Sequence, residues 1–378
     1  MIPFNKPYLT GKEAIFVNEA IQSRRLAGDG KFSTKCTEWI KKYTSCREVF
    51  LTNSCTASLE IASILAGVEA GDEVIMPSFT FVSTANAVAL RGAVPVFVDI
   101  REDTMNIDEE LIESAVTHKT KAIIAVHYAG VGCEMDVIMD IARRNNLIVI
   151  EDAAQGFMSD YKGKALGTIG DIGCYSFHET KNVTCGKGGA LFINNDRFSK
   201  RAEIIRDVGT DRGKFLRGEV NQYGWIDLGS SYILGEIGSA YLWAQLLEAE
   251  AITENRLIAW NKYNSQLREL EEVGVIRRPK VPINCKHNGH IYYALLKNGI
   301  NRDDFLERMK KNSVQSVFHY IPLHNSPAMR KLKTKYNSQR LPITEDLSSR
   351  IVRLPMWTGV EAHISDVTAV VKKSIEVD

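Results

Sequence analysis

A lysine and an acid, each following an apolar run, carry the chemistry this chain can do. Lys181 lies in Ser176-Phe177-His178-Glu179-Thr180-Lys181-Asn182, after the run 172–177 and before Gly186-Lys187-Gly188-Gly189. Asp152 lies in Glu151-Asp152-Ala153-Ala154-Gln155, after the run 147–150. A lysine amine can hold an aldehyde as a Schiff base once it is deprotonated, and partial burial lowers its pKa. An acid on a neighbouring strand can keep a ring nitrogen protonated, so that the ring acts as an electron sink. Together they point to pyridoxal 5′-phosphate. Each has a plainer reading, a solvated surface lysine and an Asp capping the next helix. Ser176 and His178 are polar residues in an apolar strand, which favours a site. The glycines that follow let the backbone turn sharply beside a ligand. Ligands of open α/β sheets bind at the carboxyl ends of strands.

Other segments fit the same ligand. Thr52-Asn53-Ser54-Cys55-Thr56-Ala57-Ser58 stands between a strand and a helix. Its hydroxyls and free N–H groups suit a phosphate, and exceed what an N-cap needs. Cys55 has no adjacent basic partner and does not read as a nucleophile. Phe81 could stack on a planar ring, although an aromatic near a helix start is often core. Gln155, one helical turn beyond Asp152, could reach the ring hydroxyl or the pocket wall. His319-Tyr320-Ile321-Pro322-Leu323-His324 reads either as a wall facing the site or as a packed turn, and His127-Tyr128 also ends a strand. No HExxH, Walker A or GxGxxG motif is present, which argues against zinc peptidase, NTPase and dinucleotide chemistry.

The elements that must position these residues follow from periodicity. Strands are expected at 49–51, 74–76, 96–98, 122–126, 147–150, 172–177 and 190–193, many of them apolar on both faces. Helices are expected at 56–65, 80–90, 108–117 and 136–144. Alternation of the two predicts a largely parallel α/β sheet, with some antiparallel pairing among its last strands. A long helical pattern covers 234–270. Beyond it come a strand at 291–296, a helix at 303–311, a strand at 317–321 and a closing helix at 362–375. This divides the chain into a large domain, 1–250, and a smaller α/β domain, 251–378.

The 378 residues are long enough to bury a large core without disulfides or metals. With 47 basic against 46 acidic residues, the net charge of +1 leaves no footprint for nucleic acid. Seven scattered cysteines lack CxxC spacing and read as reduced thiols, not as a metal site. No signal core opens the chain and no apolar run could span a bilayer, so a cytoplasmic protein is expected.

With these residues assembled, the chain resembles the DegT/StrS group of nucleotide-sugar aminotransferases over nearly its whole length. The resemblance runs from Pro3-Phe4-Asn5 through Gly71-Asp72-Glu73-Val74, Pro77-Ser78-Phe79-Thr80-Phe81, the Asp152 and Lys181 segments, to His319–His324. It implies the aspartate-aminotransferase-like fold type I. It also implies pyridoxal phosphate, with Lys181 as Schiff-base lysine and Asp152 as pyridinium partner. Phe81 is then the stacking aromatic, Ser176 and Gln155 are cofactor contacts, and Ser54, Cys55 and Thr56 form the phosphate loop. His178, Tyr320 and His324 fall to the substrate. Ser54–Glu60, Val126–Gly130 and His178–Asn182 are similar to the subgroup serving enterobacterial common antigen synthesis. That subgroup implies L-glutamate as donor, TDP-4-oxo-6-deoxy-D-glucose as acceptor and TDP-4-amino-4,6-dideoxy-D-galactose as product. A homodimer with shared active sites is implied too. The chain departs from the group where most members read Glu-Gly-Gly, since Lys187 precedes Gly188-Gly189. It departs again at Gly229-Ser230-Ser231-Tyr232, where many members place an Asn near the partner's phosphate. The same resemblance leaves 3-amination, a UDP-sugar acceptor or a non-catalytic regulator as alternatives.

Overall fold

The computed structural model describes residues 1–332, 334, 336 and 339–375. A seven-stranded sheet forms its centre, in the order β1-β9-β8-β5-β4-β2-β3. The strands are β1 (Glu48–Thr52), β2 (Glu73–Pro77), β3 (Val94–Val98), β4 (Thr120–Val126), β5 (Ile148–Asp152), β8 (Ile172–Ser176) and β9 (Gly189–Ile193). β6 (Asp160–Tyr161) and β7 (Lys164–Ala165) form a short hairpin between β5 and β8. All neighbours in the main sheet are parallel except β9, which runs antiparallel to both β1 and β8. The expected parallel sheet with an antiparallel element near its end is therefore present.

Two apolar layers cover this sheet. One includes Ile75, Ile123, Val149, Tyr175 and Phe192, and the other Val74, Ile124, Ile150, Ile172 and Leu191. Strands buried on both faces account for the near-continuous runs of Val, Ile and Leu. The helices begin where polar residues can cap them. Ser54 Oγ accepts from Ala57 N–H at 3.1 Å to open the helix Cys55–Leu65, and Asp108 caps Glu109–Ala115 in the same way.

A second sheet, β10 (Ile276–Arg277), β12 (Tyr292–Leu296) and β13 (Ile351–Leu354), carries its own core with Tyr263, Phe305 and Val367. β11 (Cys285–Lys286) instead pairs with β6 of the hairpin. The first residues of the chain pack on this second unit. Ile2 N–H donates to Ser313 O at 2.8 Å, and Met356 N–H donates to Phe4 O at 3.2 Å.

Two expectations are corrected. The pattern at 234–270 is not one helix but Glu236–Leu246, Ala249–Gln266 and Arg268–Glu272. The first break falls at Glu248, whose φ of −119° leaves the helical region and whose carboxylate is held by Lys12 and Tyr8. The segment 317–321 is not a strand. Val317 makes one bridge to Arg353, after which His319 and Tyr320 turn toward the main sheet, where they meet Tyr128 and Gln155. Pro322, which lacks an N–H, follows them.

Gly189 is where fold and site meet. It pairs with Thr52 of β1, and a Cβ there would lie 2.5 Å from Cys55 N and from Ser54 C. Only glycine lets the start of the Cys55–Leu65 helix approach β9 this closely. Gly189→Ala is expected to destabilise the protein by about 1–3 kcal/mol, read as a lowered urea midpoint.

Candidate active site

The carboxyl ends of β1, β4, β5 and β8 face one cavity of about 560 Å³. Parallel pairing brings Val126, Asp152 and Cys174 side by side across β4, β5 and β8. Ser54, Cys55, Thr56, Phe81, Asp152, Gln155, Ser176, His178, Lys181 and Tyr320, all singled out in the sequence, line this cavity.

Of the two ionisable groups at its centre, Asp152 is buried and Lys181 is half-buried with a desolvated amine, and no hydrogen bond or ion pair joins them. Asp152 Oδ2 accepts from Thr84 Oγ1 at 2.7 Å, and Oδ1 accepts from Ala154 N–H at 3.2 Å. Desolvation raises the Asp152 pKa, opposed by these two hydrogen bonds and by Lys181. Burial lowers the Lys181 pKa to about 8, with Cys55 and Asp152 opposing the shift and Arg353 reinforcing it. A tight turn, Lys181 N–H to His178 O at 2.9 Å, carries the lysine back beside the end of β8.

Hydroxyls cluster at the start of the Cys55–Leu65 helix. Thr56 Oγ1 lies 2.7 Å from Ser83 Oγ, and Ser83 also lines the cavity. Phe81 precedes the helix Val82–Ala89 and is 57% exposed, so its ring lies open on the cavity wall and not in the core. Gln155 Nε2 donates to Tyr320 OH at 3.0 Å, while its Oε1 accepts from Ala129 N–H at 2.7 Å. The Cys55 thiol is pushed well above its ordinary pKa by burial, which fits the absence of a nucleophilic role.

His324 is the one singled-out residue that does not reach the cavity. Its Nδ1 meets Ser78 Oγ at 2.7 Å and its Nε2 meets Glu345 at 3.1 Å, so both ring nitrogens are engaged where the second unit docks on β2. Arg353 was missed. It stands in β13, lines the cavity, donates to His319 Nε2 and lies 4.7 Å from the Phe4 ring centroid. Its buried Nε has no hydrogen-bond partner. The signal was a lone charge in the apolar run Ile351–Leu354, the same kind of signal that marked Ser176 and His178.

Residues 7–373 match the DegT/DnrJ/EryC1/StrS aminotransferase family. The chain belongs to that family. A GDP-perosamine synthase of Caulobacter vibrioides is 32% identical over 370 residues, covering 96% of this chain and 95% of its own. Among solved structures, the aminotransferase TlmJ from Streptoalloteichus hindustanus superimposes with a TM-score of 0.90 at 26% identity, over 99% of each chain. DesV from S. venezuelae, crystallised with a ketimine intermediate, gives 0.89 at 26% identity, over 100% of this chain and 99% of its own. The fold is thus fold type I, and the protein is a sugar aminotransferase whose cofactor is pyridoxal 5′-phosphate. The residues present fit that group. A buried carboxylate, a buried amine of lowered pKa, an exposed aromatic and a hydroxyl-rich helix start share one cavity. Among the described residues no helix is long and apolar enough to cross a membrane, and no cluster of His, Cys, Asp and Glu could hold a metal ion.

Because the folded-state Lys181 pKa is about 8 instead of 10.5, its neutral amine gains population as pH rises through about 8. Capture of pyridoxal phosphate by cofactor-free protein, followed as visible absorbance, is expected to accelerate with a midpoint near that pH. A midpoint near the ordinary lysine value would contradict the buried environment of Lys181.

Proposed function

We propose that the protein transfers the amino group of L-glutamate to C4 of a nucleotide-linked 4-oxo-6-deoxy sugar. TDP-4-oxo-6-deoxy-D-glucose is the first acceptor to test and TDP-4-amino-4,6-dideoxy-D-galactose the expected product. The observation that carries this reading is the pairing of Lys181 with Asp152 in a cavity lined by three cations, Lys181, Lys187 and Arg353, against that single carboxylate. An excess of positive charge suits a phosphorylated cofactor and an anionic substrate together. The relatives named GDP-perosamine synthase support a nucleotide-linked acceptor. The choice of C4 and of TDP rests on the motifs around Cys55, His127 and Lys181.

When bound, the cofactor supplies an electron sink for negative charge at the carbon next to the transferred nitrogen. Asp152 would hold the proton on the ring nitrogen, and a cationic ring would relieve the unfavourable burial of its carboxylate. Ser54, Thr56, Ser83 and the first N–H groups of the Cys55–Leu65 helix hold the phosphate. Phe81, Gln155 and Ser176, which line the same cavity, would hold the ring, Phe81 by stacking and the other two by hydrogen bonds. Arg353, with an unpartnered N–H, anchors a carboxylate of the donor. With the cofactor bound, Lys181 Nζ would be the base that takes the proton from Cα of glutamate. In the second half of the cycle the same Nζ would deliver a proton to C4 of the sugar. Tyr320 and His178 face the sugar.

A homodimer is part of the same proposal. The segment from Val208 to Leu228 exposes Leu216 (71%), Trp225 (78%) and Ile226 (53%), an apolar surface suited to a second copy. It leads directly into Ser231, whose carbonyl accepts from Asn53 Nδ2 at 2.9 Å beside the phosphate loop.

The test is incubation with L-glutamate and a panel of TDP-, UDP- and GDP-linked 4-oxo sugars, with product identification by NMR. A 3-amino product would overturn the assignment of C4. Lys181→Ala is expected to lose turnover and visible absorbance together. Asp152→Asn should keep the visible absorbance but lower turnover on the order of 10²–10³-fold.

A further inference from the structure

The loop that carries Lys181 leaves β8 at Ser176 and rejoins β9 at Gly189, with backbone hydrogen bonds between its arms beyond that last pair. Ser176 pairs with Gly189, Phe177 N–H donates to Gly188 O at 2.8 Å, and Glu179 N–H donates to Gly186 O at 2.9 Å. That register sets His178 directly opposite Lys187. Phe177 O accepts from Cys185 N–H at 3.0 Å and not from Gly188 N–H, so regular pairing ends here and the two residues face each other across the arms of a loop. Ser176, His178 and Thr180 alternate onto the cavity side of the ribbon, and both His178 and Lys187 line the cavity.

The three cations of the cavity are placed differently. Lys181 is half-buried with a desolvated amine, and Arg353 is engaged with His319 and lies against Phe4. Lys187 is exposed, and among the described residues no carboxylate pairs with its ammonium. An uncompensated cation at the mouth of the cavity is placed for an anion remote from the reacting carbon. In a nucleotide sugar the diphosphate is held away from C4 by the width of the pyranose ring. With C4 near Lys181, it lies outward.

We propose that Lys187, with His178 beside it, is the diphosphate-binding cation for the acceptor and sets its affinity. This inference rests on the nucleotide-sugar reading above. The test uses holoenzyme of the natural chain, Lys187→Gln and Lys187→Glu. Pyrophosphate, TDP and GDP are titrated by calorimetry, and KM is measured separately for glutamate and for the nucleotide sugar. Lys187→Gln is expected to weaken all three probes on the order of tenfold, and Lys187→Glu further. Affinity should fall with added salt in the natural chain and less steeply in Lys187→Gln. KM for the nucleotide sugar should rise in parallel, with KM for glutamate and the visible absorbance of bound cofactor unchanged. Equal probe affinities in all three proteins would overturn the inference while leaving the reaction intact. Weakened cofactor retention, or a raised KM for glutamate instead, would also overturn it by moving Lys187 to another anion. Failure of the natural chain to bind any diphosphate or convert any nucleotide sugar would overturn the broader reading itself.

Discussion

A buried amine and a buried carboxylate share one cavity without meeting, and the rest of the site depends on that separation. Desolvation drives Lys181 and Asp152 each toward its neutral form. Direct contact would relieve both, because a close ion pair recovers much of the desolvation cost. It would also consume the lysine, whose usefulness lies in a neutral amine, and the carboxylate, whose usefulness lies in a free negative charge. No hydrogen bond or ion pair joins them. Thr84 and Ala154 occupy the two oxygens of Asp152, while the His178–Lys181 turn fixes the backbone that carries the amine. A ligand that presents an aldehyde at one end and a basic nitrogen at the other satisfies both groups at once.

The scaffold that keeps them apart begins one residue earlier in β5. Side chains alternate along a strand, so Glu151 points away from the cavity that Asp152 enters. Glu151 is fully buried and accepts from the N–H groups of Gly167, Ile169 and Gly170 at 2.6–2.8 Å. Its Oε2 also lies 2.9 Å from His127 Nε2. His127 Nδ1 accepts from Cys133 N–H, so the proton of a neutral ring sits on Nε2 and is donated to Glu151. This carboxylate thereby ties the β5–β8 connection to the end of β4. Removing it would strand several buried donors, each at about 1–3 kcal/mol. The lysine, in the loop that follows β8, inherits its place from that anchor.

Much of this was legible in the residues, and the failures have physical causes. Strands buried on both faces announced themselves because their burial depends on composition alone, and all seven main-sheet strands lie where apolar runs predicted them. Asp152 and Lys181 stood out as polar residues at strand ends. The breaks at Glu248 and Leu267 were hidden because the sequence there remains good helix material, and distant contacts from Tyr8 and Lys12 bend it. The segment 317–321 has strand-like composition, but His319 and Tyr320 gain aromatic and hydrogen-bonding partners on the main sheet that a strand would forgo. His324 looked like a site residue for its chemistry, yet Ser78 and Glu345 claim both nitrogens. Arg353 carried the signal of a lone charge in an apolar run, but only the folded chain shows that it reaches the cavity of Asp152 and Lys181.

Burial also explains how one fold can serve different acceptors. Lys181 and Asp152 are desolvated, and any change there alters both stability and chemistry. His178 and Lys187 sit on an exposed ribbon, where a substitution usually changes stability by no more than about 0.5 kcal/mol. Such positions can reverse charge without disturbing the sheet beneath them. A substitution in this ribbon can therefore change what the mouth of the cavity binds while leaving Lys181 and Asp152 in place. The GDP-perosamine synthases share about a third of this chain's residues over nearly its whole length. In the reading proposed here, the reaction is set at the buried end of the cavity and the acceptor is selected by exposed side chains at its mouth.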